Sequence, residues 1–98
     1  MAELRFTRKA VEDLDEIWRY SSDSWSERQA DEYYRMLISS CRRIADSPKM
    51  SGRRYEEVAD GLFGARGGRH IIFYRIEADG NVIIVRILHE RMNPEGRI

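Results

Sequence analysis

One cysteine, Cys41, leaves no internal disulfide possible, and nothing argues for an oxidising compartment. Proline occurs twice, at Pro48 and Pro94, and lysine twice against fifteen arginines. No apolar run approaches the roughly 18 residues that a membrane-spanning helix needs. The opening Met-Ala-Glu-Leu-Arg-Phe lacks the apolar stretch of a signal peptide, so a cytoplasmic protein without a membrane partner is expected. Net charge is absent too: 17 basic side chains offset 17 acidic ones. A domain that lives on non-specific nucleic-acid contacts carries a basic excess, which counts against that class. There is no nucleophile elbow, no phosphate loop and no set of metal ligands. Gly61, Gly64, Gly67 and Gly68 are spaced for turns rather than for a nucleotide. No cofactor and no metal are expected.

What is present is a chain of 98 residues, 42% apolar and 35% charged, read as one domain over 1–98. A globule of this size buries roughly 60–70% of the surface its unfolded chain exposes. That allows one core and excludes a two-domain dehydrogenase or a barrel of about 250 residues. The arginine excess suits planar, bidentate recognition, although genome composition produces the same bias.

Glu3 to Phe6 alternates polar and apolar, predicting a short strand, and Thr7 follows as a helix N-cap. Val11, Leu14, Ile17, Trp18 and Trp25 then recur at helical spacing, and the run loosens at Ser21–Ser24. Ser26 and Gln29 fit an S-x-x-Q capping box. The second helix carries a stripe of Ala30, Tyr33, Leu37, Cys41 and Ile44, widened by Tyr34 and Ile38, until Pro48 stops it. So short a link predicts an antiparallel helix hairpin. Lys49 to Gly61 shows no period and reads as a loop, its charge run Arg53–Glu57 as a solvated one. Leu62–Arg66, Arg69–Glu77 and Val82–Leu88 read as strands. The expected fold is α+β, in the order β-α-α-β-β-β, with the helix hairpin on one face of a mostly antiparallel sheet.

Asp79-Gly80 predicts a two-residue type I′ turn, which fixes every pair of the last hairpin. One face then carries Ile76 with Ile83, Tyr74 with Val85, Ile72 with Ile87 and His70 with His89. This face is expected against the helices. The other carries Glu77 with Val82, Arg75 with Ile84, Phe73 with Arg86 and Ile71 with Leu88. Half-apolar where a solvated face is normally polar, it reads either as arginine stems covering apolar neighbours or as a binding surface, the latter favoured. His70 and His89 are too few for a metal site and are expected to cap the core end, hydrogen-bonded to loop backbone. Trp18 and Trp25 have core packing as their default, with a partly open groove for a partner's side chains as the alternative. Cys41 is expected in the core.

Three segments carry a resemblance: Leu14-Asp15-Glu16-Ile17-Trp18-Arg19-Tyr20 with Trp25 and Gln29-Ala30, Gly68-Arg69-His70-Ile71-Ile72-Phe73-Tyr74-Arg75-Ile76, and Val85-Arg86-Ile87-Leu88-His89-Glu90-Arg91-Met92-Asn93-Pro94. In order and spacing they resemble ParE toxins of the RelE/ParE toxin–antitoxin superfamily. The resemblance implies a non-enzymatic poison of DNA gyrase, neutralised by a ParD-like ribbon-helix-helix antitoxin in a hetero-oligomer that reaches operator DNA through the antitoxin. The alternatives are a RelE-type ribosome-dependent mRNA nuclease and an inactive corepressor of the same fold. Against the nuclease, the positions where such enzymes place basic residues and a tyrosine fall near Leu62, Gly64, Ile71, Glu90 and Pro94. An aliphatic group and a carboxylate there do not stabilise a developing phosphorane. The antitoxin is expected on Trp18, Trp25, Tyr33, Ile71, Phe73, Arg75, Arg86 and Leu88, with Arg75→Glu and Arg86→Glu together weakening it without unfolding the domain. Gyrase is expected on the C-terminal segment through His89, Arg91, Met92 and Arg97.

Overall fold

A computed structural model describes residues 3–98. Strand β1 (Leu4–Phe6) leads into α1 (Arg8–Ser24) and α2 (Glu27–Asp46), followed by a one-turn helix α3 (Pro48–Ser51). Strands β2 (Arg53–Arg54), β3 (Phe63–Gly67), β4 (His70–Ile76) and β5 (Val82–His89) complete a five-stranded sheet in the order β1-β5-β4-β3-β2. Only β1 runs parallel, beside β5. This is the expected α+β architecture, with α3 and β2 added inside the segment that had no sequence period.

The caps are where the sequence places them. Thr7 Oγ1 accepts the Ala10 N–H at 3.0 Å, and its own hydroxyl donates to the Val85 carbonyl at 2.7 Å, so one side chain starts α1 and ties it to β5. Ser26 Oγ accepts from Gln29 N–H at 3.1 Å and starts α2. Pro48 ends α2 and sits in the first turn of α3, where its missing N–H has no partner to lose. The apolar stripes of both helices close on one sheet face. Leu14, Leu37, Cys41, Ile44, Ile72, Tyr74, Val82, Ile84 and Ile87 form the main core there. The Tyr74 hydroxyl donates to the Pro48 carbonyl at 2.6 Å, anchoring α3.

The last hairpin departs from the predicted register near its turn. His70–His89, Ile71–Leu88, Ile72–Ile87 and Phe73–Arg86 pair as expected, but Tyr74 faces Ile84, Arg75 faces Ile83 and Ile76 faces Val82. The loop is longer than two residues: Gly80 N–H donates to the Glu77 carbonyl and Glu77 N–H to Asn81, with Gly80 at φ 88°. That is a three-residue loop ending in a left-handed residue, for which glycine is suited. The extra residue is absorbed by a bulge opposite Phe73/Tyr74. Beyond the bulge the two errors cancel. Between bulge and turn they do not: Val82 and Ile84 enter the helix-facing core while Ile83 and Val85 are half-buried.

The opposite sheet face is covered, not open. Leu62, Phe73 and Leu88 are buried in a second cluster beneath Tyr55, Val58, Ala59 and Ile98, with Ile71 at its flank. The Tyr55 and Phe73 rings meet edge to face at 5.1 Å, and the Arg53 guanidinium lies 3.6 Å from the centre of the Tyr55 ring. A Cβ on Gly64 would come within 2.5 Å of the Tyr55 ring, so the close approach of this lid depends on glycine. Arg53–Glu57 thus forms the charged outside of the lid, and its pairs Arg53–Glu57 and Arg54–Glu56 are solvated as expected.

Candidate functional site

The outward side of the helix hairpin carries most of the exposed aromatic area. Trp25, in the link between α1 and α2, is 64% exposed and Tyr20 70%. Trp25, Gln29, Glu32, Tyr33 and Met36 line a shallow groove of about 420 Å³ along α2. Gln29 does not close the expected capping box among the described hydrogen bonds; its side chain lines this groove instead. A second shallow groove, of about 490 Å³, is lined by Asp15, Trp18, Arg19, Asp31 and Tyr34. Trp18 is half-buried there and donates its indole N–H to Asp31 Oδ1 at 2.9 Å, joining the two helices. Neither tryptophan is a core residue; the partly open groove is what forms.

Tyr33 joins this strip to the end of the sheet. Its hydroxyl oxygen accepts the Arg69 N–H at 2.9 Å and lies 2.6 Å from His70 Nδ1, against 3.5 Å from the Gly67 carbonyl. A hydroxyl proton directed at Nδ1 goes with an imidazole proton on Nε2. Burial, then the nearby His89, pushes His70 down from 6.5 to about 4. Burial also raises the Tyr33 phenol. The two histidine rings stand edge to face at 5.4 Å. His89 Nδ1 accepts the Arg91 N–H at 3.2 Å, the backbone contact expected of a capping residue, whereas His70 takes a side-chain partner. Among the described residues no cluster of three or more histidine, cysteine or acidic side chains is placed to hold a metal ion.

Of the residues expected on the open sheet face, three are engaged inside the chain. Phe73 and Leu88 are 2% and 3% exposed beneath the lid, a correction to their reading as an exposed binding surface. Arg86 is likewise withdrawn: its Nε and Nη2 bind Asp13 Oδ2 and Oδ1 at 2.8 and 2.9 Å, and its Nη1 donates to the Arg97 carbonyl at 2.6 Å. The bond to Asp13 raises the guanidinium further. Arg86→Glu would set two carboxylates together at a buried site, so it destabilises the fold, contrary to the expectation that it spares it. Ile71 and Arg75 are half-buried. In the C-terminal segment Arg91, Met92 and Arg97 are exposed, while His89 is half-buried. Asp13 was missed by the sequence reading. Nothing local in the sequence marks it as the buried partner of a residue 73 positions away.

The positions aligned with nuclease groups are filled differently. Leu62 is fully buried, Gly64 lies under Tyr55, and the Glu90 carboxylate binds Arg66, which lowers its pKa.

Two helices packed on a mixed five-stranded sheet, with aromatic grooves on the helices, is an architecture shared with chains of toxin–antitoxin structures. The fold matches a chain of the structure described as the chromosomal ParDE TA system from P. aeruginosa (TM-score 0.80, 21% identity, covering 91% of this chain and 96% of that one). It also matches a chain of the toxin–antitoxin complex RelBE2 from Mycobacterium tuberculosis (TM-score 0.66, 23% identity, 90% and 96%). In sequence, Toxin ParE1 of Caulobacter vibrioides is 37% identical over 98 residues, covering 100% of this chain and 99% of the relative. Toxin ParE1 of Mycobacterium tuberculosis is 38% identical over 80 residues, covering 82% and 81%. The family described as ParE toxin of type II toxin-antitoxin system, parDE, matches residues 4–94. The chain belongs to this family.

Proposed function

We propose that this toxin acts by gripping another protein, DNA gyrase, and that a ParD-like antitoxin neutralises it by binding the helix hairpin. The observation that supports binding over RNA cleavage is the filled outer face of the sheet. A nuclease needs cationic groups aimed at a phosphate and an acid–base pair within reach of it. Here Leu62, Phe73 and Leu88 are sealed beneath Tyr55, Val58 and Ile98, and Arg66 is neutralised by Glu90.

The grooves around Trp18, Trp25, Tyr33 and Met36 supply what an antitoxin segment that orders on binding requires, exposed aromatic anchors beside polar groups. Ile71 and Arg75, on the sheet face opposite the helices, are proposed as a second, separate contact for the antitoxin. The C-terminal segment, with Arg91, Met92 and Arg97 exposed, is the part proposed to meet gyrase.

Supercoiling of relaxed plasmid by purified gyrase tests the reading. The protein should inhibit it and trap cleaved DNA, and the cognate antitoxin should reverse both effects. Codon-by-codon cleavage of mRNA on ribosomes loaded with the protein, with gyrase unaffected, would overturn it in favour of the nuclease. No effect in either assay would favour the corepressor.

A further inference from the structure

We propose that Asp13 and Arg86 form a positioning device for the C-terminal segment, holding Asn93–Ile98 in the conformation that presents Arg97. This rests on the reading that the segment contacts the toxin's target.

The argument begins at the sheet. β1 pairs only with Val82–Ile84, so the remainder of β5 has no strand on that side. Side chains near the start of α1 take the place of one. Thr7 Oγ1 binds the Val85 carbonyl, and Asp13 Oδ2 accepts the Ile87 N–H at 2.9 Å. The bulge at Val85 brings Arg86 to the same carboxylate.

Satisfying this edge needs only Thr7 and Asp13. Arg86 does more: two nitrogens hold Asp13 in a fork, and the third reaches across to the Arg97 carbonyl. The side chains of Arg86 and Asp13 are only 17% and 11% exposed, so the fork is shielded from water and from salt.

The segment itself has little else to hold it. Asn93 Oδ1 accepts from Glu95 N–H, and Arg97 binds back to the Pro94 and Asn93 carbonyls, which shapes a local turn without docking it. Docking comes from two points, the Arg86–Arg97 bond and Ile98 against the second cluster. A terminal turn without such ties frays. Ordering it beforehand removes part of the entropic cost of binding a target. Lysine would not replace Arg86, because one nitrogen cannot serve the fork and the carbonyl together.

The test compares Arg86→Lys with the wild-type protein by amide hydrogen exchange and by gyrase inhibition. Arg97 and Ile98 amides should exchange at least about tenfold faster while β4 amides keep their protection. Inhibition should weaken by at least about tenfold. Unchanged exchange in the tail, or a freed tail with undiminished potency, overturns the proposal. Ile98→Ser guards against misfolding, since it leaves the Asp13–Arg86 pair intact. Its tail amides should stay better protected than those of Arg86→Lys; equal or faster exchange shows that the pair is not what holds the tail. Deleting Glu95–Ile98 separates the two readings. Full potency after deletion removes the segment from target binding, and with it the proposed role in activity, while the exchange data still report whether Arg86 orders the tail.

Discussion

The Tyr33 hydroxyl stands 2.6 Å from His70 Nδ1, a bond between α2 and β4 made at the point where the aromatic groove meets the sheet end. With the hydroxyl as donor the bond uses a neutral ring, because a protonated one has no acceptor at Nδ1 and would have to donate there instead. Burial holds His70 at about 4, below the ordinary 6.5, so the unfolded chain binds this proton before the folded one does. The contribution to stability is complete above pH 6.5 and is lost as pH falls from there through about 4. The ring keeps solvent contact, so after screening the loss amounts to roughly 1–2 kcal/mol. Denaturant midpoints of the wild type and His70→Gln, measured from pH 7.5 to 4, should show a difference that shrinks across that window. A constant difference would mean that His70 titrates normally.

Ile84 and Ile83 are adjacent on β5 and exchange roles relative to a regular two-residue hairpin. Ile84 is fully buried under the helices and Ile83 is half-buried on the other side. Ile84→Ala should therefore cost roughly 2–4 kcal/mol in urea unfolding, and Ile83→Ala less than about 1.5 kcal/mol. The reverse ranking would restore the register expected from a tight turn at Asp79-Gly80.

That register was beyond the reach of the sequence for a physical reason. Val82 to Val85 are all aliphatic, so both possible faces of β5 read as core and period two cannot choose between them. The two long helices are legible because Thr7 and Ser26 are strong caps and the stripes are regular, and β4 and β5 from their β-branched runs; β2, two arginines within the aperiodic segment, is not. The lid was missed although a signal existed. Tyr55, Val58, Ala59 and Leu62 follow the i, i+3, i+4, i+7 spacing of one apolar face, embedded among charges that made the segment look solvated. That lid explains the mixed sheet face, which holds a small internal core. The exposed helix grooves and the Asp13–Arg86 fork depend on tertiary placement, and no local pattern encodes a bond across 73 residues.

Cys41 offers a check on the main core that needs no substitution. It is fully buried between α2 and the sheet, and burial pushes its thiol up to about 12. Neither thiolate character nor access is available for alkylation. In native buffer at pH 8 the protein should resist iodoacetamide, and it should become labelled with the unfolding transition when urea is raised. Rapid labelling of the native protein would show that α2 opens from the sheet far more readily than its packing implies.

Trp25 separates binding from folding most cleanly. Its indole sits in a two-residue link, 64% exposed, outside both apolar clusters. Truncation removes little packing, so Trp25→Ala should change unfolding free energy by no more than about 0.5 kcal/mol. If the groove with Gln29, Tyr33 and Met36 receives an antitoxin side chain, the same change deletes an anchor, and aromatic anchors in interfaces carry about 2 kcal/mol or more. Calorimetric titration with the cognate antitoxin should then show a dissociation constant at least about 30-fold weaker. Val11→Ala, an exposed aliphatic of α1 outside both grooves, serves as the control and should leave affinity unchanged. Wild-type affinity for Trp25→Ala would move the antitoxin off this face of the helices and leave Ile71 and Arg75 at the sheet as the surface to test.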